Sequence, residues 1–141
     1  AAAALGAGVA VILLNGVLPS LDQLAVSSRL SMAIETAGLH PLRSAAPPVA
    51  VAGYYEPSAI FLLGTNTVLT NGAGAAQWLN AHPDGAAAVE EADADDFETT
   101  LYHMRLKPTR IAWIEGLNYS NGRRVRLKVY TLAPPRIPST Y

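Results

Sequence analysis

The sequence predicts an α/β domain: a mainly parallel sheet flanked by helices, finished by a C-terminal antiparallel hairpin and preceded by an apolar helix. Three observations predict it. Short alanine- and valine-rich runs, residues 49–52 and 86–89, read as strands buried on both faces. Segments of helical spacing lie between them, the alternation expected of a parallel sheet with helices on its faces. Near the end, two runs at residues 109–118 and 123–132 flank Asn121-Gly122, a hairpin signal, although a longer connecting loop fits as well.

The apolar helix comes first. Residues 1–18 carry no charge, and Asn15 is their one strongly polar side chain. As a helix they would span about 27 Å, just short of a hydrocarbon core of about 30 Å. A signal peptide would have a basic start, which is missing. A buried helix of a soluble protein remains open, because alanine and glycine make the run only mildly hydrophobic. The end of a transmembrane helix is the favoured reading. Arg29 alone supplies positive charge nearby, which favours a non-cytoplasmic side for the rest of the chain. The chain starts at Ala1 rather than Met, which reads as a fragment or a processed product.

Pro19 and Ser20 end that run. Residues 21–37 form the next helix, with Leu30, Ala33, Ile34 and Ala37 on one face, Ser27 or Ser28 as cap and Gly38 as terminator. Residues 19–47 therefore read as a linker helix and a proline-rich connection, with Pro41, Pro47 and Pro48 in its last part. The domain proper is placed at residues 48–133. Its first strand turns at Gly53 into a short helix that opens at Pro57 and closes at Gly64. A strand at residues 67–70, a cap at Asn71-Gly72 and a helix through Ala75, Trp78 and Leu79 come next, ending before Pro83. The strand at residues 86–89 leads to a helix at residues 93–106 with Phe97, Leu101 and Met104 as its stripe. Residues 134–141 read as an irregular tail.

Composition narrows the chemistry. With 141 residues, half of them hydrophobic, a real core is available. A net charge of −1 gives no basic field, so nucleic acid is not an expected partner. The absence of cysteine excludes disulfides, zinc thiolates and a cysteine nucleophile.

Glu56 is the sharpest candidate residue. It comes after a buried strand at the carboxyl edge, where open α/β sheets place ligands. A carboxylate there also serves simply to stabilise a helix start. Asp93-Ala94-Asp95 mimics a metal-holding Asp-x-Asp pair, but its acidic neighbours favour an ordinary solvated helix start. His40, His82 and His103 match no metal pattern, Ser58 lacks the glycines of a nucleophile elbow, and Gly72-Ala73-Gly74 lacks a phosphate fingerprint. Asn118-Tyr119-Ser120 fits a glycosylation acceptor, a common chance match. Arg124, Arg126 and Lys128 alternate with apolar residues and share one strand face. They read either as a charged edge that resists aggregation or as a contact for anionic lipid head groups.

Two blocks carry a family resemblance. Gly53, Glu56-Pro57-Ser58, Phe61 and Gly64-Thr65 form one, and Gly116-Leu117-Asn118-Tyr119-Ser120-Asn121-Gly122 the other. With the order of apolar helix, linker helix and α/β domain, the chain resembles the region after the last membrane helix of bacterial lipid-linked-sugar glycosyltransferases. These are the aminoarabinose-transferase-like members of the protein-mannosyltransferase superfamily. The resemblance implies a C-terminal periplasmic domain at the bacterial inner membrane. Its enzyme moves a sugar from polyprenyl phosphate to a lipid, glycan or protein acceptor. It implies an accessory role in acceptor placement or active-site cover, with the catalytic acids in early membrane-proximal loops outside this segment. No catalytic residue, metal or cofactor is carried over.

The candidate ligand contacts are Glu56, Ser58, Asn118, Tyr119, Ser120 and Asn121. The implied partners are the membrane-embedded remainder of the polypeptide and lipid-linked sugar or anionic head groups. The alternative is a stand-alone α/β module binding a small polar ligand or a protein near Glu56. A small hydrolase is disfavoured by the missing nucleophile–base pair.

Overall fold

The computed structural model describes residues 18–118 and 122–134. Among these residues, four helices and a short 3₁₀ turn surround one five-stranded sheet. In order these are α1 (Leu18–Thr36), β1 (Ala50–Ala52), α2 (Pro57–Leu63), β2 (Val68–Thr70), α3 (Gly72–Ala81) and β3 (Ala87–Glu90). The 3₁₀ turn Glu91–Asp93, α4 (Ala94–His103), β4 (Thr109–Asn118) and β5 (Arg123–Thr131) complete the order. The strands lie side by side as β2-β1-β3-β5-β4. β1 pairs parallel with β2 and β3, whereas β5 pairs antiparallel with β3 and β4.

The sheet is therefore mixed rather than mainly parallel. The three parallel strands are only three or four residues long. The hairpin strands run to ten and nine residues and make the antiparallel end the larger part. Asn118 pairs with Arg123, so the connection is longer than the two-residue turn that Asn121-Gly122 signals. Gly122 has φ +68°, a conformation glycine adopts without steric cost.

Helices cover both faces. On one, Val26, Leu30 and Ile34 of α1 and Ala59 and Leu63 of α2 pack with Val49, Val51, Ala88, Ile114, Val125, Leu127 and Val129. The linker helix expected within residues 19–47 supplies a layer of the core. On the other face, Ala75, Ala76 and Leu79 of α3 and Phe97 and Leu101 of α4 pack on Ala50, Ala52, Ala87, Val89 and Tyr130. Alanine in the strands and in α3 lets helix and sheet approach closely on this side. The Phe97 and Tyr130 rings meet at 4.9 Å between centroids.

Local signals explain most boundaries. Pro19 falls in the first turn of α1, where a missing N–H costs nothing. Ser27 and Ser28, expected as caps, lie inside α1. Gly38, at φ +71°, ends α1 in a Schellman arrangement: its N–H donates to Glu35 O and the Leu39 N–H to Ile34 O. Asn71 caps α3, its side-chain oxygen accepting the Gly74 N–H at 2.8 Å. The helix expected over residues 93–106 is shorter. It stops at His103, and Arg105 turns the chain with φ +57°.

Among the described residues no helix is long and apolar enough to cross a membrane. The charge-free run ahead of Leu18 lies outside the described residues, as do Tyr119, Ser120, Asn121 and residues 135–141.

Candidate functional site at the carboxyl edge of the sheet

β1 and β3 are neighbours, yet the helices that come after them lie on opposite faces, α2 on the α1 side and α4 on the α3 side. This is a topological switch point, the place where open α/β sheets form a ligand crevice. The edge is occupied by side chains of the protein itself. Gly53 leaves β1 with φ +77°, and a Cβ on it would stand 2.4 Å from Asp93 Oδ2 and 2.8 Å from Glu90 Cβ. Asp93 Oδ1 accepts the Gly72 N–H at 3.0 Å. Asp93 therefore ties the start of α3 to the turn after β3, a structural task for one acid of the Asp-x-Asp pair. Among the described residues no group of three His, Asp or Glu is arranged to hold a metal.

Glu56 occupies the N-cap position of α2, but its carboxylate makes no capping hydrogen bond. It is half-buried and lies close enough to Tyr54 for its charge to act on the phenol. Beside it, hydroxyls from three elements meet. Tyr54 Oη is 3.0 Å from Ser27 Oγ, and Ser27 Oγ is 2.8 Å from Ser58 Oγ. Ser27 is fully buried and Tyr54 nearly so. Burial raises the Tyr54 pKa most. The Glu56 charge adds to that rise, and the hydrogen bonds to Ser27 and Ser58 oppose it. Ser58 thus bridges α2 to α1, a task its position in Glu-Pro-Ser did not reveal.

The β4–β5 connection leaves the same edge. β5 runs antiparallel to β3, so Arg123 at its start and Asn118 at the end of β4 lie beyond the carboxyl end of β3. β1 and β5 are separated by β3 alone, about 10 Å at about 4.8 Å per strand spacing. Glu56 and the strand ends Asn118 and Arg123 therefore belong to one edge. Of the other contacts expected there, Tyr119, Ser120 and Asn121 lie outside the described residues.

Arg124, Arg126 and Lys128 do share a face, opposite Leu117, Glu115 and Trp113 in register. Two of the three are engaged. Arg126 reaches Glu91 at 2.8 Å and Glu115 at 3.5 Å. Lys128 stands 4.0 Å from Glu98 and 5.6 Å from the centre of the Trp113 ring. Arg124 is exposed and paired with no acid among the described residues. On the opposite face of the hairpin, Arg123 donates to the buried Glu90 carboxylate at 2.7 Å. A shallow hollow of about 300 Å³ lies along the hairpin between Glu115, Leu117, Arg124 and Arg126.

Sequence reasoning missed Ser27, Tyr54, Glu90 and Asp93 as organisers of this edge. A signal existed for two of them: Ser27 breaks the apolar face of α1, and Glu90 ends a strand whose other residues are all apolar. No family model, curated protein or solved structure matches this chain.

Proposed function

We propose that this chain is the C-terminal extracytoplasmic domain of a bacterial lipid-linked-sugar glycosyltransferase. Its sugar donor is a polyprenyl phosphate, and its role is to help place the acceptor or cover the active site. One observation supports the reading beyond the resemblance itself. α1 enters the domain at the edge that also carries Glu56 and the open end of the hairpin. Val26 midway along it sits against Gly116 late in β4, while Leu42 beyond its end packs on Gly64 at the far end of α2. α1 thereby begins on the ligand side of the sheet. A membrane-held active site would lie on that side.

In this reading the domain performs no bond-making. Glu56 and the residues around the hairpin end offer acceptors and donors for sugar hydroxyls or head groups, and the catalytic acids belong to the membrane-embedded remainder. Anionic lipid contact and an inner-membrane, periplasm-facing location belong to the same proposal.

The test is made in the source organism. Deleting residues 19–134 from the gene product should leave the polyprenyl-phosphate sugar accumulating in lipid extracts, with its acceptor unmodified. An unchanged pool of lipid-linked sugars would favour the stand-alone binding module.

A further inference from the structure

The edge of the sheet opposite Glu56 carries a hollow of its own. α4 starts beyond the carboxyl end of β3 and leads back to β4, whose first residue pairs with the last of β5, beside the start of β3. There Tyr102, His103, Arg105, Leu106 and Lys107 line a hollow of about 520 Å³. That is the size of a pocket for a small organic ligand.

Its charge is one-sided. No acid lines the hollow, and neither Arg105 nor Lys107 forms an ion pair among the described residues. Glu98, one turn before Tyr102, is engaged by Lys128 at 4.0 Å. Asp84, in the turn between α3 and β3, pairs with no cation among the described residues. Arg110, further along β4, stands over the Trp113 ring rather than beside an acid. Tyr102 supplies an aromatic surface next to the two free cations. It is 79% exposed, and His103 meets its ring edge-on, with 69° between the planes.

The backbone gives an independent sign. The Leu106 N–H donates to Leu101 O and the Arg105 N–H to Tyr102 O, the same arrangement that ends α1 at Gly38. In α1 the left-handed position belongs to glycine. In α4 Arg105 holds it at φ +57°, a conformation that a residue with a Cβ takes at a steric cost. The dipole of α4 favours cations near this end, but it does not call for one at the strained position itself. What the strained turn achieves is a guanidinium on the wall of the hollow.

We propose that this hollow binds a nucleoside monophosphate, a phosphate monoester carrying a flat ring. Arg105 and Lys107 hold the phosphate, whose charge of about −2 near neutral pH matches their two, and the base lies on the Tyr102 ring. A carboxylate would leave one cation unmatched, and a bare phosphate would leave the ring unused. The site is separate from the Glu56 edge, and the inference does not depend on the proposed function.

The full-length chain is titrated with AMP, ribose 5-phosphate and inorganic phosphate, followed by calorimetry and by amide shifts of the labelled protein. AMP should move the amides of residues 102–107. It should bind about tenfold more tightly than ribose 5-phosphate, a factor within the range for stacking a base on an aromatic side chain. Tyr102→Ala should erase that difference and leave the ribose 5-phosphate affinity unchanged. Lys107→Gln should weaken AMP about tenfold, as expected for the loss of a charged hydrogen bond. Arg105→Gly should weaken it as much, yet hold or raise the thermal midpoint, because glycine takes the turn without strain. AMP binding that survives both charge variants, shifts confined to other residues, or no binding at all would overturn the assignment. Equal affinities for AMP and ribose 5-phosphate would remove the base from the site and overturn it too.

Discussion

Val26 of α1 lies so close to Gly116 of β4 that a methyl group at position 116 would stand 2.1 Å from Val26 Cγ2. The helix therefore rests on strand backbone at this point. Arg29, one turn on, secures the contact by donating to the Glu115 carbonyl oxygen at 2.6 Å. Gly116→Ala should cost about 1–3 kcal/mol through overpacking, measured by urea denaturation. Adding Val26→Ala should return part of that loss. A neutral Gly116→Ala would show that α1 does not sit this close to the sheet.

His40 gives the fold a pH dependence. It is 2% exposed, and its Nδ1 accepts the Leu42 N–H at 3.3 Å, leaving Nε2–H for Ser31 Oγ at 2.9 Å. A second proton would set two donors against each other. Burial first, and the Arg43 charge second, lower its pKa below 6.5, against weaker opposition from Glu35 and the Leu62 carbonyl. The unfolded chain then binds more protons than the folded one below that value. Stability present above pH 6.5 should be lost as pH falls from there toward the lowered folded value. Denaturation midpoints on either side of pH 6.5 measure this, and His40→Gln should flatten the slope. An equal slope in the variant would assign the dependence to other groups.

The hydroxyl chain at the α1–α2 contact should be strongly coupled. Ser27→Ala leaves Tyr54 Oη and Ser58 Oγ without their shared partner, a cost of about 1–3 kcal/mol for buried groups. Tyr54→Phe removes one of the stranded groups. A thermal-denaturation cycle should therefore find the double variant less damaged than the sum of the singles. Strict additivity would mean the hydroxyls act independently.

Glu90 and Arg123 should respond unequally to mutation. Glu90 is buried and Arg123 is more than half exposed. Arg123→Ala strands a buried carboxylate and should cost more than the about 1 kcal/mol usual for surface pairs. Glu90→Gln removes the charge with it and should cost less. Chemical denaturation of both variants decides, and the reverse order would contradict the burial argument.

Much of this architecture was legible in the sequence because local chemistry agreed with the fold. Pro57 and Gly64 bound α2, Asn71 caps α3, Gly38 closes α1, and the alanine–valine runs became β1 and β3. The features that escaped depended on partners far along the chain. Ser27 looked like a cap until α1 proved to extend back to Leu18, which brought its hydroxyl against Tyr54. Arg124, Arg126 and Lys128 shared a face as spacing required. The acidic partners of Arg126 and Lys128 lie on β4, on α4 and in the turn before it, and strand periodicity carries no information about those. Glu56 was placed correctly at the head of α2. Its carboxylate nevertheless lacks the capping bond that the position suggests.

Sugar transfer itself tests the central proposal most directly. Membranes of the source organism, containing the gene product with or without residues 19–134, are charged with radiolabelled polyprenyl-phosphate sugar prepared from the same cells. Label should move to the acceptor fraction only where the domain is present, and the purified chain alone should transfer none. Equal transfer by both membranes, or turnover by the isolated chain, would contradict the account.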